Sequence, residues 1–250
     1  MKLETYIAAD NIISPLGFTS EENFEQLKNH KTGIQKIVSS SYSLEPIHAA
    51  LIDEKKIETE FKKLNISNSF TRLEKLMILS ISDALKQNKA IDIHDKKTLL
   101  IISTTKGNID LLDPSNAKHF DKKRVYLWET ARVVQEHFKS PNKPLIVSNA
   151  CISGVLGIIM AKRLLESGTY ENIIVCGVDI LTEFVVSGFQ SFKAVSINPE
   201  GKSKVVQYFR TGDFFGQDSL FKEKELPYTI QAMSEGALCM IDASTMHELI

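Results

Sequence analysis

The run Lys97-Thr98-Leu99-Leu100-Ile101-Ile102-Ser103 constrains the fold more than any other stretch. It has strand length and no polar alternation, so both of its faces must be covered, as in the central strand of a sheet held between helices. The surrounding chain repeats the order helix, strand, helix. Arg72 to Asn88, opened by Thr71, places Leu73, Leu76, Met77, Leu79, Ile81 and Leu85 near helical spacing. Val125 to Phe138 does the same with Trp128, Ala131, Val134 and Phe138 on one stripe. A strand bracketed by Pro141 and Pro144, a mostly apolar helix from Val155 to Leu165 and a further buried strand from Ile173 to Asp179 follow. Gly168 ends that apolar helix. This order predicts an α/β unit with parallel strands and right-handed crossovers.

Within that frame Cys151 stands at a strand-to-helix turn, in Val147-Ser148-Asn149-Ala150-Cys151-Ile152-Ser153-Gly154. A sulfur there faces the positive end of the helix dipole and the free N–H groups of the first turn, which favour a thiolate nucleophile. Ala150, Ser153 and Gly154 leave room for an acyl group. A lone cysteine is more often a small buried hydrophobe; the turn position argues for chemistry. Thr104-Thr105-Lys106-Gly107 leaves the carboxyl end of the central run, where open α/β sheets tend to place ligands. Thr105 and Gly107 are candidate substrate-binding residues, and a tight turn that needs Gly107 is the competing reading. Cys176 reads as a packed core thiol and His137 as structural.

Elsewhere the patterns are weaker. Leu3 to Ala9 suits a short strand, Ser14-Pro15-Leu16-Gly17 a turn, and Thr19 the cap of a helix beginning at Glu21. Gly33 to Asp53 reads as a surface excursion with short strands, and Asp53 to Asn65 as a charged, solvated segment. The 30 Lys and Arg balance 31 Asp and Glu, which argues against nucleic-acid binding by this chain alone. Three cysteines without paired short spacing suggest neither a disulfide framework nor a metal site, and no cofactor is indicated. With no basic, apolar leader and no apolar run of ~18 residues, a cytoplasmic chain without a membrane span is expected, where the Asn65-Ile66-Ser67 sequon has no consequence. At 43% hydrophobic residues the 250-residue chain can bury a sizeable core.

Ala150-Cys151-Ile152-Ser153-Gly154 resembles the nucleophile turn of the β-ketoacyl-acyl-carrier-protein synthases, thiolase-fold condensing enzymes. Ile13-Ser14-Pro15-Leu16-Gly17, Val175-Cys176-Gly177-Val178-Asp179 and Gly188-Phe189 through Ala194-Val195-Ser196 resemble that family's flanking segments, in order. The resemblance covers the N-terminal half of such an enzyme, roughly residues 1 to 196. It implies a thiolase-like layered half-fold, with helices on a mixed, mostly parallel sheet, and an acyl thioester on Cys151 in fatty acid or polyketide-type synthesis. It further implies an acyl-carrier protein as partner and a homodimer through the strand preceding Cys151. After Ser196 the family's Pro-Phe-Asp stretch and its two histidines and lysine do not appear; His247 stands in no Gly-His-Thr context. The expectation is an acyltransferase incomplete for condensation, since one oxyanion-hole donor alone contributes ~3 kcal/mol.

Residues 197 to 250 resemble part of the cyclic-nucleotide-binding β-roll of the catabolite-activator regulators, through Val205-Val206-Gln207-Tyr208-Phe209 and Gly212-Asp213-Phe214-Phe215-Gly216-Gln217. Gly216 and Gln217 are the implied effector-binding residues, although the family's phosphate-binding Arg has no equivalent; Lys222 and Lys224 are the near basic residues. Gly201, Gly212, Gly216, Pro227 and Gly236 break the sequence into short runs, so a small antiparallel segment is expected over 204 to 242. Half a ketosynthase joined to a regulator fragment, or a single natural variant, both fit. Three functions compete: acyl transfer at Cys151, effector binding by residues 197 to 250, and a non-catalytic scaffold.

Overall fold

The computed structural model describes residues 4–117, 120–192 and 195, all within the unit Met1–Lys202. The antiparallel segment expected over 204 to 242, together with Gly216, Gln217, Lys222, Lys224 and Cys239, lies outside the described residues.

The elements are α1 (Ser20–Lys28), β1 (Ile34–Ile37), β2 (Ile47–Ala50), α2 (Glu54–Lys62), α3 (Arg72–Gln87), β3 (Thr98–Ser103), the single turn α4 (Pro114–Ala117), α5 (Leu127–Phe138), β4 (Leu145–Val147), α6 (Ser153–Glu166), β5 (Asn172–Gly177) and α7 (Glu183–Ser191). Strands β4, β3 and β5 form a parallel sheet in that order, with Ile101 opposite both Leu145 and Val175. Every residue of β3 is buried, as its continuous apolar run requires. Side chains alternate across the strand. Leu100 and Ile102 join Leu73, Leu76, Met77, Ala131 and Val134 beneath α3 and α5, while Leu99 and Ile101 pack with Ala161, Val147 and Val175 under α6. The α/β layering expected from the sequence is therefore present, and β1 and β2 add a small antiparallel pair.

Helix α3 starts where Thr71 accepts from the Glu74 N–H at 3.2 Å while the Glu74 carboxylate accepts from the Thr71 N–H at 2.9 Å, a reciprocal cap. Glu74 is fully buried. Its charge is answered by Arg124, which reaches both carboxylate oxygens. Asn108 lies against the same carboxylate at 3.1 Å and against Thr130 at 3.1 Å.

Four expectations need correction. Residues 4–13 form no strand; Tyr6 and Ile7 are exposed, and without a neighbouring strand an extended run has no ladder to join. The segment after Asp53 is not wholly solvated, because Asp53 caps α2 and Ile57 and Phe61 on one face of that helix are buried. Helix α5 begins at Leu127, and Trp128 is exposed, stacked on Tyr126 at a centroid distance of 5.9 Å. Strand β5 is half-buried apart from Cys176 and Gly177, with Cys176 buried and Gly177 exposed.

Helix α6 departs from the usual amphipathic arrangement. The residues it buries are Ser153, Gly157 and Ala161, a four-residue repeat of small side chains lying on the sheet. A Cβ on Gly157 would stand 3.0 Å from Val175 Cγ1, so any larger residue here crowds that side chain. The larger apolar residues Val155, Ile158, Ile159 and Met160 are exposed.

Candidate active site

The carboxyl ends of the three parallel strands converge on one cleft, as the crossover topology dictates. Past β4 the chain turns at Ala150, whose φ of +44° is left-handed. Such a φ costs a residue with a Cβ about 1–2 kcal/mol, and the surroundings hold it. The Ser153 hydroxyl accepts from the Asn149 N–H at 2.8 Å and donates to the Ala150 carbonyl at 2.7 Å. This knot closes the turn and presents Cys151, which is exposed, immediately before Ile152, the N-cap of α6. A Cβ on Gly154 would meet nothing within 4 Å, so the space beside the thiol is open.

The cleft has a volume of about 430 Å³ and is lined by Cys151, Thr105, Lys106, Asp179, Val185 and Phe189 among others. Past β3, Thr104 and Thr105 are fastened to Asp179, which follows β5. One carboxylate oxygen, Oδ1, accepts from the Thr104 hydroxyl at 2.9 Å, the Thr105 N–H at 3.0 Å and the Thr105 hydroxyl at 2.9 Å. The Lys106 ammonium donates to the Thr105 hydroxyl at 2.8 Å. Asp179 thus ties the loop after β3 to the end of β5, and Thr105 stands between a carboxylate and a cation.

The structure brings Thr105 and Cys151 to the same cleft. Gly107 is buried behind it, with φ +55° and space that a Cβ would contest with Leu127 Cδ2 at 2.6 Å. Its placement matches the tight-turn reading. In the sequence Asp179 lies in a strand motif and Lys106 in the loop after the central run, and neither stands out there as a site residue. The signal available was the hydroxyl pair Thr104-Thr105 beyond one strand end and an acid beyond another. Cys176 is buried, and burial pushes its thiol up to about 12. His137 is packed edge-on against Phe70 at 5.3 Å and Phe138 at 4.8 Å, and burial lowers its pKa. Among the described residues no group of His, Cys, Asp and Glu could hold a metal ion, and no helix is long and apolar enough to cross a membrane.

Comparison with solved structures gives the fold. A ketosynthase from Xenorhabdus doucetiae, solved in complex with its chain length factor, is similar at TM-score 0.63 and 18% identity, over 77% of this chain and 51% of its own. A β-ketoacyl synthase from Burkholderia phymatum is similar at 0.59 and 16% identity, over 78% and 51%, and the ishigamide ketosynthase/chain length factor at 0.56 and 17%, over 74% and 55%. The fold is that of a ketosynthase, and the chain spans about half the length of these structures. The model of the cyclic nucleotide-binding domain family matches residues 183–250, beginning at the first residue of α7. No curated protein sequence matches the chain.

Proposed function

We propose that this chain accepts an acyl group from an acyl-carrier protein as a thioester on Cys151, in fatty acid or polyketide-type synthesis. The observation that carries the reading is an exposed thiol held on a strained turn, at the mouth of a cleft with open space beside it, in a ketosynthase-type fold. The step is thioester exchange. The Cys151 sulfur attacks the acyl carbonyl, the carrier's thiol leaves with a proton, and the acyl group stays on the protein.

Among the described residues that line the cleft there is no histidine. Acyl loading is the proposed activity of this chain. Strand β4 is an edge of the described sheet, and Leu145 on it is partly exposed. The proposed association is through this edge, with a second copy or with a non-identical partner of the kind named for the ketosynthase and chain length factor complexes. Incubation of the full chain with acyl-carrier thioesters, read by intact mass, tests the acyl reading. One acyl adduct is expected on the chain and none on Cys151→Ser; an equal adduct on the variant would sink it.

A second reading rests on the family match over residues 183–250. These residues, with Gly216 and Gln217, would bind an effector of cyclic-nucleotide type. Calorimetry with cyclic AMP and cyclic GMP decides it: saturable heat lost in Gly216→Val supports the reading, and no heat with either ligand removes it.

A further inference from the structure

The cleft beside Cys151 holds a lysine whose ammonium has N–H donors to spare. Among the described residues that line it, the charged side chains are Lys106 and Asp179. Asp179 is committed to the loop through three donors on one oxygen. Lys106 carries three N–H donors, gives one to the Thr105 hydroxyl, and has no other hydrogen bond or ion pair among the described residues. Two donors remain for whatever enters, with the Asp179 carboxylate one hydroxyl away. A second, independent feature lies on the floor of the same cleft. Ser103 is 2% exposed, and its hydroxyl is buried without a partner among the described residues. Gly157 and Gly177 both lie against it, where an added Cβ would stand 3.7 and 3.8 Å from Ser103 Cβ. Buried polar groups are almost always paired, and an orphan hydroxyl in a cleft marks where a ligand oxygen completes the bonding.

We infer that the Cys151 cleft selects acyl groups that carry a carboxylate, with Lys106 as the specificity-determining residue and the Ser103 hydroxyl as a second donor. The inference rests on the acyl-transfer reading and adds the substrate class. A neutral acyl chain could lie on Val178, Ile180, Val185 and Phe189, but it leaves both donors unmet. A carboxylated acyl chain of the same length meets them.

Two alkylators of one shape isolate the charge effect, because iodoacetate is an anion and iodoacetamide is neutral. The ratio of their rates at Cys151 of the full chain, normalised to glutathione, is expected to exceed one. It should fall by about three- to tenfold in Lys106→Gln, the range for one unit charge at a partly solvated site. Lys106→Arg, which keeps the charge, should hold the ratio high, and added salt should lower it in the parent protein. A ratio unchanged by Lys106→Gln overturns the inference. Succinyl and butyryl thioesters then separate the two claims. Faster loading by succinyl supports carboxylate selection, and equal loading by both overturns it. No loading by either removes the acyl-transfer reading, while the alkylator ratio still decides whether the cleft binds anions.

Discussion

At Ala150 a residue with a Cβ takes φ +44°, and the consequence falls one position later, on the sulfur of Cys151. Turns of this kind persist where surrounding bonds over-determine them, and the Ser153 hydroxyl supplies two such bonds. The two described cysteines then differ in exposure, and burial disfavours the thiolate of one of them. Cys151 is exposed, whereas Cys176 is 5% exposed with its thiol pushed up to about 12. Near pH 8 a neutral alkylator should therefore label Cys151 at least ~100-fold faster than Cys176, since burial both shields the Cys176 thiol and disfavours its thiolate. Peptide-level mass spectrometry over a time course reads this directly, and comparable rates at the two sites would contradict the assignment. His137 gives a second prediction. Burial beside Phe70 and Phe138 lowers its folded pKa, so the unfolded chain binds the proton more readily. Stability then falls as pH drops through the ordinary histidine value of about 6.5 toward the folded value. Chemical denaturation at pH 7.5 and 5.5 should show this loss, and a smaller one in His137→Phe; an identical pH slope in the variant would exclude His137 as its source.

Among the elements, helix α6 is held to the sheet by what it lacks. Gly157 brings the helix within van der Waals distance of Val175, and a valine there has to push the Val175 side chain aside. Gly157→Val should cost about 1–3 kcal/mol, measured by urea denaturation, and should slow acyl loading because Cys151 rides on the start of that helix. A cost below ~0.5 kcal/mol would mean that the close approach is not needed. The same elements show where sequence reasoning succeeds. The run Leu99 to Ile102 can only be a covered strand, Thr71 opens an amphipathic helix, and Cys151 falls between an apolar strand and an apolar helix. Local chemistry decides each of these. It fails where a partner distant in the chain decides. Ile57 and Phe61 look isolated among charges until α3 lies against them, Leu3 to Ala9 lacks the neighbour that would make it a strand, and Trp128 stacks on Tyr126 at the surface instead of filling the core. Asp179 belongs to the same class, since its bonds to Thr104 and Thr105 span 74 or 75 positions.

For the whole molecule, the described residues leave apolar surface in particular places. Ile152, Val155 and Ile158 are exposed at and along α6, as are Phe184 and Phe189 on α7, and β4 is an edge of the described sheet. Unpaired edges and clustered apolar residues are surfaces that associate. Sedimentation equilibrium of the full chain should accordingly find concentration-dependent association, and a monomer at every concentration up to about 50 μM would contradict the proposed pairing, because stable interfaces of standard size usually hold well below that range. The central claim is that Cys151 is the acyl acceptor. Its most direct measurement is proteolytic mapping of the full chain after exposure to an acyl-carrier thioester at neutral pH. The account predicts the acyl mass on the peptide containing Cys151 and its removal by hydroxylamine, which cleaves thioesters. An acyl group found instead on Cys176 or Cys239, or on no cysteine at all, would contradict it.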